Sequence, residues 1–130
     1  MKHLLIILIL AITVSACQKK DTTTPDAGKV TINITSPVPA QVFRSGDTMH
    51  MVATVSYPSE LHGYELKISD SATGNILYDE DEHVHNDHFE INSTWVDTAT
   101  TAATLKLELT VEVDHTGTEA EKTIYFNYVP

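Results

Sequence analysis

Between Asp79 and His88 the chain reads DEDEHVHNDH, five carboxylates and three imidazoles within ten residues. Imidazole is the commonest transition-metal ligand. His83 and His85 are two apart, so an extended segment would put both rings on one face about 7 Å apart, close enough to share an ion. Asn86-Asp87 is turn-prone, and a turn there would bring His88 back toward the pair as a third nitrogen ligand. The flanking carboxylates raise the local cation concentration and offer acceptors for the second ring nitrogens. Imidazole with carboxylate suits Cu(II) or Zn(II), with copper ahead in the affinity order, and no organic cofactor is expected. The competing expectation is a solvated acidic loop whose histidines bind nothing.

Positioning these groups falls to β-strands. Val30, Ile32 and Ile34 alternate with polar residues, as do Met49, Met51, Ala53 and Val55, and then Tyr64, Leu66 and Ile68. Asn75 to Asp81, His88 to Trp95, Leu105 to Val113 and Lys122 to Val129 complete seven predicted strands. Turn signals at Ser45-Gly46-Asp47, Ser71 to Gly74, Asn86-Asp87 and His115-Thr116-Gly117 separate them. No window carries a helical period. About seven short strands in residues 29–130 predict an all-β, immunoglobulin-like antiparallel sandwich that folds without metal.

In such a sandwich the loops after the second, fourth and sixth predicted strands emerge at one end. Those loops hold His62, then His83, His85 and His88, then His115. His83 and His85 are the expected primary ligands and His88 and His115 secondary ones, with His62 in reach only if its loop curls inward. His50 belongs at the opposite end.

Other chemistry is weaker. Met49-His50-Met51 has soft ligands suited to Cu(I), yet Met49 and Met51 share parity with Ala53 and Val55, which places them in the core with His50 outside. Trp95 is expected as a core plug rather than a sugar platform. Asn33-Ile34-Thr35 and Asn92-Ser93-Thr94 match the N-glycosylation sequon inside predicted strands. No Gly-rich phosphate loop or nucleophile elbow is present, so no enzymatic activity is expected.

The first seventeen residues address location. Lys2 precedes an apolar run, Leu4 to Ile12, too short to span a bilayer, and Val14-Ser15-Ala16-Cys17 follows. This resembles the signal peptide of bacterial lipoproteins, which implies cleavage before Cys17 and acylation of that residue, including palmitate. Residues 1–16 would then be removed, and no cysteine would remain for a disulfide. The remaining chain has 18 acidic and 7 basic side chains, a net charge of −11 that disfavours nucleic acid and anionic lipid as partners. Membrane attachment would therefore come from acyl chains. Residues 17–28, the lipidated Cys17 followed by QKKDTTTPDAG, read as a flexible tether. By the sorting rule of diderm bacteria, Gln18 after the cysteine implies the outer membrane, at its periplasmic face or the cell surface.

Ser45-Gly46-Asp47-Thr48 and Asp114-His115-Thr116-Gly117 are similar to turns of bacterial Ig-like modules. With the signal peptide, the whole resembles the small Ig-like lipoproteins of the Bacteroidota, a family of largely uncharacterised function. Asp70-Ser71-Ala72 and Asp97-Thr98-Ala99 are similar to the short O-glycosylation motif of that group's envelope proteins. The expectation is a monomeric, membrane-anchored envelope lipoprotein that binds Cu or Zn through its His-rich loop, for capture or for delivery to a metal-handling or envelope protein. The alternative is a metal-free adhesive or scaffolding module that binds protein or glycan.

Overall fold

The computed structural model describes residues 24–130. The signal peptide, Cys17 and the first part of the tether lie outside the described residues. A single 3-10 turn at Ala27–Lys29 leads into eight strands: β1 (Thr31–Ser36), β2 (Val42–Arg44), β3 (Thr48–Ser56), β4 (Gly63–Asp70), β5 (Ile76–His83), β6 (His88–Val96), β7 (Ala103–Glu112) and β8 (Glu119–Val129). They form a three-stranded sheet, β1-β3-β6, and a five-stranded sheet, β2-β8-β7-β4-β5. The fold is an immunoglobulin-like β-sandwich. No helix among the described residues is long and apolar enough to cross a membrane.

Period-two alternation produces the sandwich directly. Met49, Met51, Ala53 and Val55 of β3 point inward and are almost fully buried, while His50 is exposed. Facing them, Leu105, Leu107, Leu109 and Val111 of β7 are each no more than 1% exposed. Each such side chain contributes roughly 1.5–3 kcal/mol by leaving water. Trp95 is half-buried against this core, as expected of a plug.

The strand missing from the sequence reading is β2. Its three residues bury only Phe43, too few to show an alternation, and it is held by parallel pairing of Val42, Phe43 and Arg44 with Asn127, Tyr128 and Val129 of β8. All other pairs are antiparallel.

Side chains stitch the two open sides of the sandwich. On one side Lys122 Nζ of β8 donates to Ile32 O of β1 at 3.0 Å. On the other, Ser93 Oγ of β6 donates to Glu80 Oε1 of β5 at 2.9 Å. Glu80 also accepts from the hydroxyls of Tyr64, at 2.8 Å, and Tyr78. The acidic run 79–82 is therefore not uniformly solvated. Asp79 and Asp81 face out, whereas Glu80 lies half-buried under three hydroxyl donors. Burial alone would raise the Glu80 carboxyl, but the donated hydrogen bonds from Tyr78, Ser93 and Tyr64 prevail and hold it below its ordinary value. Burial pushes the Tyr64 hydroxyl far up, helped by Glu80 and Glu82.

The chain enters at the end where β3 finishes. Asp26 caps the 3-10 turn through Oδ1 to Gly28 N at 3.0 Å, and its own N–H donates to the Tyr57 hydroxyl at 3.1 Å. Asp26 and Ala27, within the stretch read as tether, are thus tied to the domain.

Candidate metal site

Three connections meet at that end: the β3–β4 loop, the β5–β6 linker and the β7–β8 turn. Leu61, fully buried, plugs the pole from below. Its N–H donates to Asn86 O at 2.9 Å, and Tyr57 N donates to Asp87 O at 2.8 Å, so the loop and the linker are laced together. His62 follows Leu61 and prolongs the β4 ladder on both sides. Its N–H donates to Glu112 O at 2.9 Å, and its carbonyl accepts from Val84 N at 3.2 Å. Gly63 then lets the strands close tightly, since a Cβ there would stand 2.9 Å from Glu82 O and 3.1 Å from Glu112 Oε2.

His83 ends β5 opposite Gly63, and His85 lies in the linker. His115 rides on the β7–β8 turn, which Asp114 shapes by accepting from Thr116 N at 2.7 Å, Thr118 N at 3.0 Å and the Thr118 hydroxyl at 2.7 Å. The Thr118 N–H, then its hydroxyl, then Thr116 hold the Asp114 carboxyl far below its usual range. Gly117, at φ +96°, closes the turn in a conformation L side chains rarely adopt.

Four imidazoles form a closed circuit. Ring centroids are 5.5 Å apart for His62 and His85, 4.6 Å for His85 and His83, 5.7 Å for His83 and His115, and 4.1 Å for His115 and His62. His83 Nε2 and His85 Nε2 approach to 3.0 Å, and His85 Nδ1 lies 2.9 Å from Glu60 Oε1. Ligand atoms of Glu60, His62 and His85 all fall within 4.8 Å of one another. His62 Nδ1 is buried with no hydrogen-bond partner, an orphan that a bound ion would satisfy. Glu60, His62 and His85 thus fit a divalent transition ion in both ligand chemistry and spacing.

The five histidines expected at one end do lie there, but not all converge. His88 opens β6 opposite Ser56 of β3, in the three-stranded sheet, and is outside the ring circuit. Asn86-Asp87 does not fold back. Its carbonyls are taken by Leu61 and Tyr57, so the linker crosses between sheets and carries His88 away. His62, given a conditional place, sits within the circuit. Glu60 was missed, because a lone acid 23 positions before His83 gives no spacing signal. His50 lies at the far end, paired with Thr94. Met49 and Met51 point away from it into the core, so the triplet assembles no soft site.

Beside the cluster, on the outer face of the five-stranded sheet, an open groove of about 350 Å³ is lined by Glu65, Asp81, Glu82, His83, Glu112 and Glu119, together with Tyr64 and Thr110. His83 is the wall it shares with the cluster.

Fold and cluster together define an immunoglobulin-like β-sandwich with a His/Glu group at one pole. No protein-family model matches the chain. No curated protein matches it either. Among solved structures it is similar to fibronectin(III)-like modules of Clostridium thermocellum CbhA, at 16% identity over 75% of this chain and 94% of that one, with a TM-score of 0.47. It is similar to a chitin binding domain from Burkholderia pseudomallei, at 14% identity over 69% of this chain and 57% of that one, with a TM-score of 0.46. A third likeness is to the CARDB domain of a Pyrococcus furiosus protein in complex with di-metal ions, at 12% identity over 77% of this chain and 87% of that one, with a TM-score of 0.47.

Proposed function

We propose that this protein is a lipid-anchored envelope module that captures Cu(II) or Zn(II) at its histidine pole and buffers the ion or passes it to a metal-handling partner. One observation carries the reading: His62, His83, His85 and His115, from the end of β5 and three separate connections, form a closed ring circuit with Glu60 beside it. Four imidazoles have no need to meet for the sake of the fold, because the core is complete beneath them. The rings of His83, His85 and His115 are exposed, which suits an exchangeable ion rather than a structural one. Anchoring is supported by the Val14-Ser15-Ala16-Cys17 sequence, and the outer membrane by Gln18.

The test is calorimetric titration of the full-length protein with Cu(II) and Zn(II), at neutral pH and at about 5.5, where ligand imidazoles must first lose protons. Binding should weaken at the lower pH. His83→Ala/His85→Ala should weaken it by more than about 100-fold, the upper range for changes that touch only outer partners of a ligand. No binding, or unchanged binding in the double variant, would leave a metal-free adhesive or scaffolding module as the better account. The anchor has its own test: Cys17→Ser should abolish palmitate labelling and release the protein from membranes.

A further inference from the structure

We infer that the free edge of β6 is a docking strip for an extended, basic polypeptide segment, which adds there as a fourth strand of the β1-β3-β6 sheet. The inference is independent of metal binding. An open sheet edge presents a row of unpaired backbone N–H and C=O groups, and natural edges are blunted by shortness, bulges, proline, inward charges or lysine. Four strands of this sandwich are edges: β1, β2, β5 and β6. Three of them are blunted. β2 has only three residues. β1 is interrupted between Ile34 and Ser36, runs into Pro37, and has its Ile32 carbonyl taken by Lys122. β5 is interrupted opposite Ile68 and Ser69, and carries four consecutive acids, Asp79 to Glu82, of which Glu80 points inward.

β6 lacks these devices. Its nine residues pair with β3 in unbroken register, from His88 opposite Ser56 to Val96 opposite Thr48, with no proline, glycine or lysine. Among the described residues, β3 is the only hydrogen-bond partner of its backbone.

Charge selects the occupant. β5 and β6 border the same open side of the sandwich, and together they hold five carboxylates and no Lys or Arg. Glu80 reaches the β6 edge itself, where its Oε1 accepts from Ser93 Oγ at 2.9 Å. Glu82 stands next to it, with Oε2 at 3.0 Å from the Tyr64 hydroxyl. Glu90, exposed, lies on the outer face of β6. A strand laid against β6 sends alternate side chains to its two faces, one row past Glu90 and the other past Glu80 and the half-buried Trp95. Lys or Arg on either row meets a carboxylate, and opposite charges across strands stabilise pairing where like charges oppose it. A second copy of this chain, at a net charge of −10, is thereby disfavoured. Main-chain hydrogen bonds supply the affinity, and the alternate side chains the selectivity.

The probe is a capped peptide as long as β6 that alternates valine with lysine, titrated into the full-length protein. Trp95, the one tryptophan of the chain, reports occupancy by fluorescence, and amide hydrogen exchange locates the peptide. A saturable signal should appear, weaker at high salt, with alternate β6 amides gaining protection. Methylating the central backbone amides of the peptide keeps its charge and should weaken binding at least about 10-fold, the worth of one or two hydrogen bonds. Exchanging its lysines for glutamates should abolish binding, and Glu90→Lys, at an exposed position, should weaken it with the circular dichroism spectrum unchanged. Equal binding of the methylated peptide overturns the proposal, since charge alone would then hold it. Equal binding of the glutamate peptide, protection confined to β1 or β5, or no binding overturns it too. A dimer in sedimentation with β6 amides protected before any peptide is added would make a second copy the occupant, and also refute it.

Discussion

Glu80 offers the sharpest test of the hydrogen-bonded hub at the β5 edge of the sandwich, where one bond of three crosses to β6. Replacing it with Ala removes three hydroxyl-to-carboxylate hydrogen bonds, from Tyr64, Tyr78 and Ser93. A hydrogen bond to a charged group contributes about 1.5–3 kcal/mol when water is kept away. Water reaches part of this hub, and the Tyr64 hydroxyl keeps Glu82 at 3.0 Å, so the sum is well below three full bonds. A loss of about 2–4 kcal/mol is expected, which for a domain of this size lowers the melting temperature by roughly 10–20 °C. The pH dependence gives an independent check. The folded Glu80 carboxyl lies below its ordinary value of 4.5, so its stabilising effect is present above that pH and is lost as pH falls through the folded value. Glu80→Gln should therefore flatten the stability profile below pH 4.5 and cost less than Ala at neutral pH. Thermal unfolding by circular dichroism between pH 3 and 7 measures both. If Glu80→Ala melted within about 2 °C of wild type, or Glu80→Gln kept the acid-side slope, the carboxylate would not be a stabilising hub at this edge of the sandwich.

Three further outcomes can be checked with the same instruments. Leu61→Ala, at a fully buried position beneath His62, should cost about 2–5 kcal/mol in denaturant unfolding and weaken Zn(II) binding, since the pole loses its floor. Asp114→Asn should loosen the turn that carries His115 and lower metal affinity by about 10-fold in calorimetry, with the core spectrum unchanged. Zn(II) at about 100 times its dissociation constant should add about 2.7 kcal/mol and raise the melting temperature by roughly 10–20 °C, reversibly with a chelator.

Why some of this was legible in the sequence and some was not has a physical basis. Strands with four or more alternating residues announce their inward face, and β3, β4 and β7 did so because Met49, Leu66 and Leu107 each begin or continue a period-two row. β2 has one buried residue and takes its register from β8, a partner more than 80 positions away. The same alternation could have revealed Glu80, since Tyr78, Glu80 and Glu82 share a parity, but a charged row on an edge strand reads as solvent-facing by default. At the pole, strand parity was enough to gather the histidines at one end. Which of them meet depends on where the linker carbonyls go, and those of Asn86 and Asp87 find donors in Leu61 and Tyr57, 25 and 30 residues earlier.

The hydrogen bond from Asp26 to Tyr57 also decides which way the domain faces. The chain arrives at the pole that carries the histidines, and β8 runs from that pole to the other, so Val129 lies at the opposite end. Whatever holds the segment upstream of Asp26 holds the module by its histidine end. Under the lipid-anchored proposal, the nine residues from Cys17 to Asp26 reach at most roughly 30 Å when fully extended. The histidines would then work in a thin layer next to the membrane, where an ion released at the bilayer surface meets them first, while the far pole and its loops point outward and stay free for other contacts.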